Sequence, residues 1–261
     1  MLNDTHEPYN EMHSAISSYT TAQVAPSDGI GYSNASLINM ACRHDGRLLQ
    51  PSAPARAIDA SFALAGGPRN RVRNVHAVMA THSVLPLVAA AGAGVAATAT
   101  WTHVLSIGLN DSFRLLPSHL AGEVTTGPAL AWTGYQTSGS VGTRPANITL
   151  LGPFSAATPL VLPPCGYSDF GLHHIAPILP ASQLAFLGEM GKWVPTAAGG
   201  TRVTAVGDAA AGLTVDIVGV PGEAVELAFA AAAAGPVATA VCTVGADGTA
   251  KAEFDGRKAK C

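Results

Sequence analysis

The chain is poor in charge. Only 12% of its 261 residues are Asp, Glu, Lys or Arg, about half the usual share in globular proteins, which excludes charge-driven disorder. Fourteen basic residues stand against 17 acidic ones, and no basic cluster exceeds Arg69, Arg71 and Arg73, so no electrostatic footprint for nucleic acid is present. Cysteine is scarce as well. Cys42, Cys165, Cys242 and Cys261 lie far apart without CxxC spacing, which rules down a zinc ribbon or a thioredoxin-type site. The HExxH pattern is missing, Gly31-Tyr-Ser-Asn-Ala35 lacks the second glycine of a nucleophile elbow, and Gly29-Ile-Gly31 lacks the third glycine of a dinucleotide loop. Neither a metal nor a cofactor is implied. Long hydrophobic runs are also absent. The nearest, Val84–Thr100, is built mainly from Ala and Gly and falls short of the roughly 20 strongly apolar residues of a membrane span. It reads as a low-complexity loop inserted between two strands.

What is present is a change of pattern near Arg47. Before it, Glu7–Ser18 has helical spacing, Tyr19–Val24 alternates as a short strand does, Pro26–Gly31 is a turn cluster, and Ser36–Arg43 is apolar enough for a second helix. Helix, strand, loop and helix in that order are what the last part of a β/α unit leaves. After it, short β-like runs recur between Gly and Pro turns, and VELAF and TAKAEF alternate so as to bury one face. The expected fold is mainly β, an antiparallel β-sandwich. Its segments are residues 1–46 (helix, strand, helix), 47–200 (sandwich with the Ala/Gly-rich insertion at 87–100) and 201–261 (strands of the same sandwich or of a small companion).

Four of the eight asparagines, Asn3, Asn34, Asn110 and Asn147, sit in N-x-S/T sequons and are candidate glycan acceptors. They favour a luminal or secreted compartment, although Met1–Glu7 has neither the basic nor the apolar region of a signal peptide. Cys242 and Cys261 are the pair most easily closed into a disulfide. None of the 17 carboxylates forms a recognisable catalytic pair by spacing. Asp28 is the acid of most interest, because it follows an expected strand and opens a Gly-rich loop. Trp132 and Tyr135 occupy a Gly/Ser/Thr-rich stretch that would expose them as a platform for sugar C–H faces.

The order of His6-Glu-Pro-Tyr9, Met12-His-Ser-Ala-Ile16, Gln23-Val-Ala-Pro-Ser-Asp28-Gly29, Leu37-Ile38, Asp45-Gly-Arg-Leu-Leu-Gln50 and Ala55-Arg-Ala-Ile-Asp-Ala-Ser-Phe62 resembles the late part of raffinose synthases and alkaline α-galactosidases. Val161–Ile178 and Leu184–Gly188 are similar to that family's closing strands, so the resemblance covers residues 6–190. It departs from the family at Ser61, where a cysteine is usual, and at Ala25-Pro-Ser-Asp28, which replaces Val-Ser-Asp. The resemblance implies a (β/α)₈ barrel, with its catalytic aspartates upstream of this chain, followed by a C-terminal β-sandwich. Residues 1–46 would then be a remnant of the barrel's last unit and Asp28 would lie near the substrate mouth. The expected role is the non-catalytic C-terminal portion of a protein that hydrolyses or transfers α-galactosides, inactive alone, with carbohydrate and a missing N-terminal barrel as partners. The alternative is a free-standing β-sandwich for glycan binding, adhesion or protein interaction.

Overall fold

The computed structural model describes residues 9–23, 33–66, 76–89, 95–120, 127–135, 148–232 and 235–261. Strands account for 46% and helices for 14% of the structure, which is mainly β with several sheets. Helices α1 (Asn10–Tyr19) and α2 (Ala35–Ala41) come first, then strand β1 (Arg56–Ala57) and helix α3 (Asp59–Ala65). The central strands are β2 (Val78–Ala89), β3 (Val95–Ser106), β4 (Phe113–Leu115), β5 (Ala129–Tyr135), β6 (Thr149–Phe154), β7 (Leu160–Leu162), β8 (Gly171–Pro177) and β9 (Leu184–Glu189). The last are β10 (Val203–Ala209), β11 (Gly212–Val218), β12 (Ala224–Ala231), β13 (Ala238–Thr243), β14 (Thr249–Phe254) and β15 (Ala259–Lys260).

Period-two patterning explains these assignments. In β11 the residues Leu213, Val215 and Ile217 point inward while Thr214 and Asp216 face outward, and in β14 Ala252 and Phe254 are buried while Lys251 and Glu253 are exposed. A large sheet runs in the order β15-β14-β11-β10-β2-β3-β8-β5-β6, with β1 added beside β2, and a second sheet runs β13-β12-β9. Phe186, Leu227 and Phe229 of the small sheet meet Leu85, Trp101, Val206 and Val215 of the large one in a shared apolar core. The Trp101 indole N–H donates to Phe186 O at 2.7 Å, which ties the two layers by a directed bond as well. Under α1 and α2 a further apolar cluster joins Met12, Ala15 and Tyr19 to Leu49, Met79, Leu105 and Trp193.

Several expectations are corrected. Residues 87–89 and 95–100 are strand rather than a loop insertion, β2 and β3 pairing from Val78↔Ser106 to Val88↔Val95, while residues 90–94 lie outside the described residues. Alternating Ala and Thr in the second strand let small side chains pair across the sheet while the backbone bonds its neighbour. The expected strand at Tyr19–Val24 is also missing among residues 19–23. Tyr19 closes α1, the Thr20 N–H and hydroxyl both donate to Ile16 O, and Thr21 takes a φ of 56°, so the chain turns where a strand was expected. The large sheet is not wholly antiparallel either. β10 joins β2 in parallel through Val206↔Leu87, Gly207↔Val88 and Asp208↔Ala89, because the chain crosses to the small sheet at β9 before it returns. By this junction β10, β11, β14 and β15 share one sheet with strands that precede residue 201.

Cys242 of β13 and Cys261, which follows β15, are joined as a disulfide with Cα atoms 5.3 Å apart. The bridge links the small sheet to the edge of the large one and closes a loop of 19 residues' separation. In the chain-entropy description such a loop contributes about 3 kcal/mol. Reduction should therefore lower the denaturant midpoint by a corresponding amount while the far-ultraviolet spectrum stays β-rich; an unchanged midpoint would show that the bridge adds nothing.

Candidate functional site

A cleft of about 470 Å³ opens where α1 and α2 meet the ends of β9, β12 and β13. Its position follows from how α2 is tied down. Asn34 caps the helix by accepting from the Leu37 N–H at 3.1 Å, and at the other end the Lys192 ammonium donates to Asn39 O at 2.6 Å and Cys42 O at 2.7 Å. Those carbonyls belong to the helix terminus, where no intrahelical donors remain. Trp193 fixes the neighbouring loop, its backbone N–H donating to Met40 O and its indole N–H to Ser14 Oγ of α1.

Beneath the cleft lies a fully buried guanidinium, Arg202. Its Nε donates to Glu189 Oε2 at 2.7 Å and its Nη2 to Glu223 Oε1 at 2.6 Å, with further bonds from Nη2 to Glu189 Oε1, from Nη1 to Glu223 Oε2 and from Nη1 to Val218 O. Glu223 also accepts from the Val220 and His44 N–H groups. Burial opposes ionisation of Glu223, but the hydrogen bonds from Arg202 and Val220 outweigh it and hold its carboxyl down at about 2. Glu189 is shifted upward, because burial dominates over the attraction of Arg202 and Lys192. Two carboxylates with separated acidities are the signature of an acid and base pair. Here all four oxygens are engaged by the guanidinium, so neither group is presented to a substrate.

Deeper in the large sheet, strand register sets a row of polar rings. Thr81 of β2 pairs with His103 of β3, His103 with His174 of β8, and His174 with Trp132 of β5. The His103 and His174 Nδ1 atoms are 2.9 Å apart, so one ring donates and the other accepts. Ser83 Oγ and Thr196 Oγ1 lie 3.0 and 3.3 Å from His103 Nε2. His173 pairs with Val104 and points to the opposite face. Burial pushes His103 down to about 3, with His82 adding to the shift, and burial pushes His173 down to about 4; His174 is also held well below its ordinary value by burial and the neighbouring His103. Among the described residues no three His, Cys, Asp or Glu side chains are grouped so as to hold a metal ion.

The expected site residues are scattered. Asp28, Asn3 and Asn147 lie outside the described residues, and Tyr135 is described by its backbone on β5 alone. Trp132 is not in an exposed loop: it is 3% exposed on β5, its ring centroid 4.3 Å from that of His174. Both faces of β5 are covered, Leu130 and Trp132 packing in the core between the sheets and Ala129 and Ala131 in the apolar cluster on the other face, so consecutive residues are both buried. Asn110 is exposed in the turn after β3, and Asn34 is half-buried on the cleft wall as the helix cap. The Arg202 clamp left little trace in the sequence, since Glu189, Arg202 and Glu223 are 13 and 21 residues apart and belong to no motif.

Two outcomes follow from these buried charges. Replacing Arg202 by Met leaves two carboxylates uncompensated and should cost about 3–5 kcal/mol, read as a fall in the urea midpoint; a fall below about 1 kcal/mol would mean the clamp is dispensable. The histidines take up protons in the unfolded chain near pH 6.5 but resist them when folded. Stability is thus complete above about pH 6.5 and falls as pH drops toward about 4, by up to tenfold in the folding constant per pH unit for each histidine. Urea titrations at about pH 7.5 and about pH 5 test this, equal midpoints being the contrary result.

No protein-family model matches the chain, and no curated protein matches it.

Proposed function

We propose that this chain is the non-catalytic, β-sandwich portion of a carbohydrate-active protein of the raffinose synthase and alkaline α-galactosidase type. Hydrolysis or transfer of α-galactosides would be carried by carboxylates on a (β/α)₈ barrel, and residues 1–46 would be the remnant of that barrel's last unit. The segment order across residues 6–190 supports the type. The non-catalytic assignment rests on a single observation, that the two carboxylates under the cleft are consumed by Arg202. Glycosidic cleavage needs one group to attack or stabilise the anomeric carbon, or to activate a water that attacks it, and another to protonate the leaving oxygen, and a carboxylate bonded through both oxygens to a guanidinium does neither well.

The purified chain should bind raffinose or melibiose in a calorimetric titration and release no galactose from either, nor from an aryl α-galactoside. Galactose release would overturn the non-catalytic assignment. Absence of binding to every α-galactoside tried would overturn the carbohydrate assignment.

A further inference from the structure

We propose that the Cys242–Cys261 disulfide is a redox latch, opened by a dithiol reductant that attacks at Cys261, and that its opening releases β13 and with it one wall of the cleft. The inference is independent of the carbohydrate reading.

The two sulfurs sit in unlike surroundings. Cys242 is fully buried in the core between the sheets, whereas Cys261 follows β15 and is exposed. Thiol–disulfide exchange needs access to the sulfur under attack, along the line of the S–S bond. From solvent that line meets Cys261 first. The first thiolate of the reductant bonds to Cys261 Sγ as the S–S bond breaks, and Cys242 leaves as a thiolate that takes up a proton. The second thiol of the reductant, losing its own proton, then attacks the reductant sulfur of the mixed disulfide, and Cys261 leaves and is protonated. Two electrons pass to the protein, the dithiol ends as a disulfide, and the two protons it gives up balance the two taken up.

Little else fastens the strand at the far end of the bridge. β15 pairs with β14 through Glu253↔Lys260 and Phe254↔Ala259, and the Lys260–Glu253 ion pair beside it is exposed on both sides, a kind that contributes little. β13 ends the small sheet, hydrogen-bonded to β12 along one edge, and β14 and β15 lie beside it. The disulfide thus clamps β13 from the side on which it has no strand partner among the described residues. Alternation carries the effect to the cleft. Cys242 points inward, so Val241 points outward, and Val241 lines the cleft in register with Glu226 of β12. Consecutive residues of one edge strand therefore hold the latch and the cleft wall, and a shift of β13 on reduction moves both.

The chain carries its own control, since Cys42 and Cys165 are buried thiols outside the bridge. Exposure alone ranks Cys242 as the slowest of the three to react, at 0% against 6% and 9%. Local release of β13 predicts the reverse. When the native full chain is reduced with dithiothreitol and pulsed with iodoacetamide, Cys242 should label at least about tenfold faster than Cys42 and Cys165, as a segment that opens without the rest of the fold does. Labelling of Cys242 no faster than those two would show that it is reached only through global unfolding, and would overturn the latch. Thioredoxin with serine in place of its second cysteine should be captured covalently on Cys261; capture on Cys242, or none, overturns the assigned attack. Amide chemical shifts at residues 224–226 and 241 should differ between the oxidised and the reduced native chain, identical shifts overturning the link to the cleft. Cys261→Ser should give the fast Cys242 labelling without reductant, slow labelling in the folded variant counting against the latch, and the wild-type measurements decide the matter if that variant does not fold.

Discussion

The structure depends on one buried cation. Arg202 sits immediately before β10 of the large sheet, yet its bonds reach Glu189 at the end of β9, Glu223 ahead of β12 and the carbonyl of Val218 on β11. A guanidinium can do this because its donors form a rigid planar fork that satisfies two carboxylates at once. The apolar core between the sheets gives no direction to their mutual orientation, whereas a fork with fixed geometry admits one. Arg43 extends the arrangement to the helices: it donates to Thr201 O, next to Arg202, and pairs with Asp45. Sheets and helical layer thus converge on consecutive residues, 201 and 202.

The row of buried rings is a second commitment made by register rather than by motif. Pairing of β2, β3, β8 and β5 places Thr81, His103, His174 and Trp132 side by side. Once strand alternation assigns Trp101 and Leu105 to the inner face, His103 between them has nowhere else to point. Its burial is tolerable because Ser83, Thr196 and His174 take up its polar atoms. The Tyr19 hydroxyl and the Trp132 indole nitrogen, by contrast, are buried without a hydrogen-bond partner among the described residues, a cost of a kind that buried polar groups rarely carry.

How much of this was legible in the sequence depended on the range of the signal. VELAF and TAKAEF announce strands because alternation is local, and the Cys242 and Cys261 pair follows from short separation. The Ala/Gly stretch misled because small residues carry little hydrophobic contrast, so its alternation was invisible until β3 was seen paired along β2. Trp132 misled because its Gly/Ser/Thr-rich surroundings read as a loop, whereas it lies on β5, a strand covered on both faces. The Arg202 clamp and the cleft above it arise from segments brought together only by the fold, and no spacing rule connects residues 11, 37, 192, 226 and 241.

The parallel contact between β2 and β10 has one more consequence, which concerns assembly of the chain. It pairs Leu87 with Val206, Val88 with Gly207 and Ala89 with Asp208, the most distant residues in sequence to meet within the large sheet. Closing a loop that long costs entropy before any contact repays it, and three residue pairs repay little. The hairpin β2–β3 and the meander β10–β11 close over short distances instead. The order of assembly favoured by chain entropy is therefore two separately formed halves that meet last at this seam.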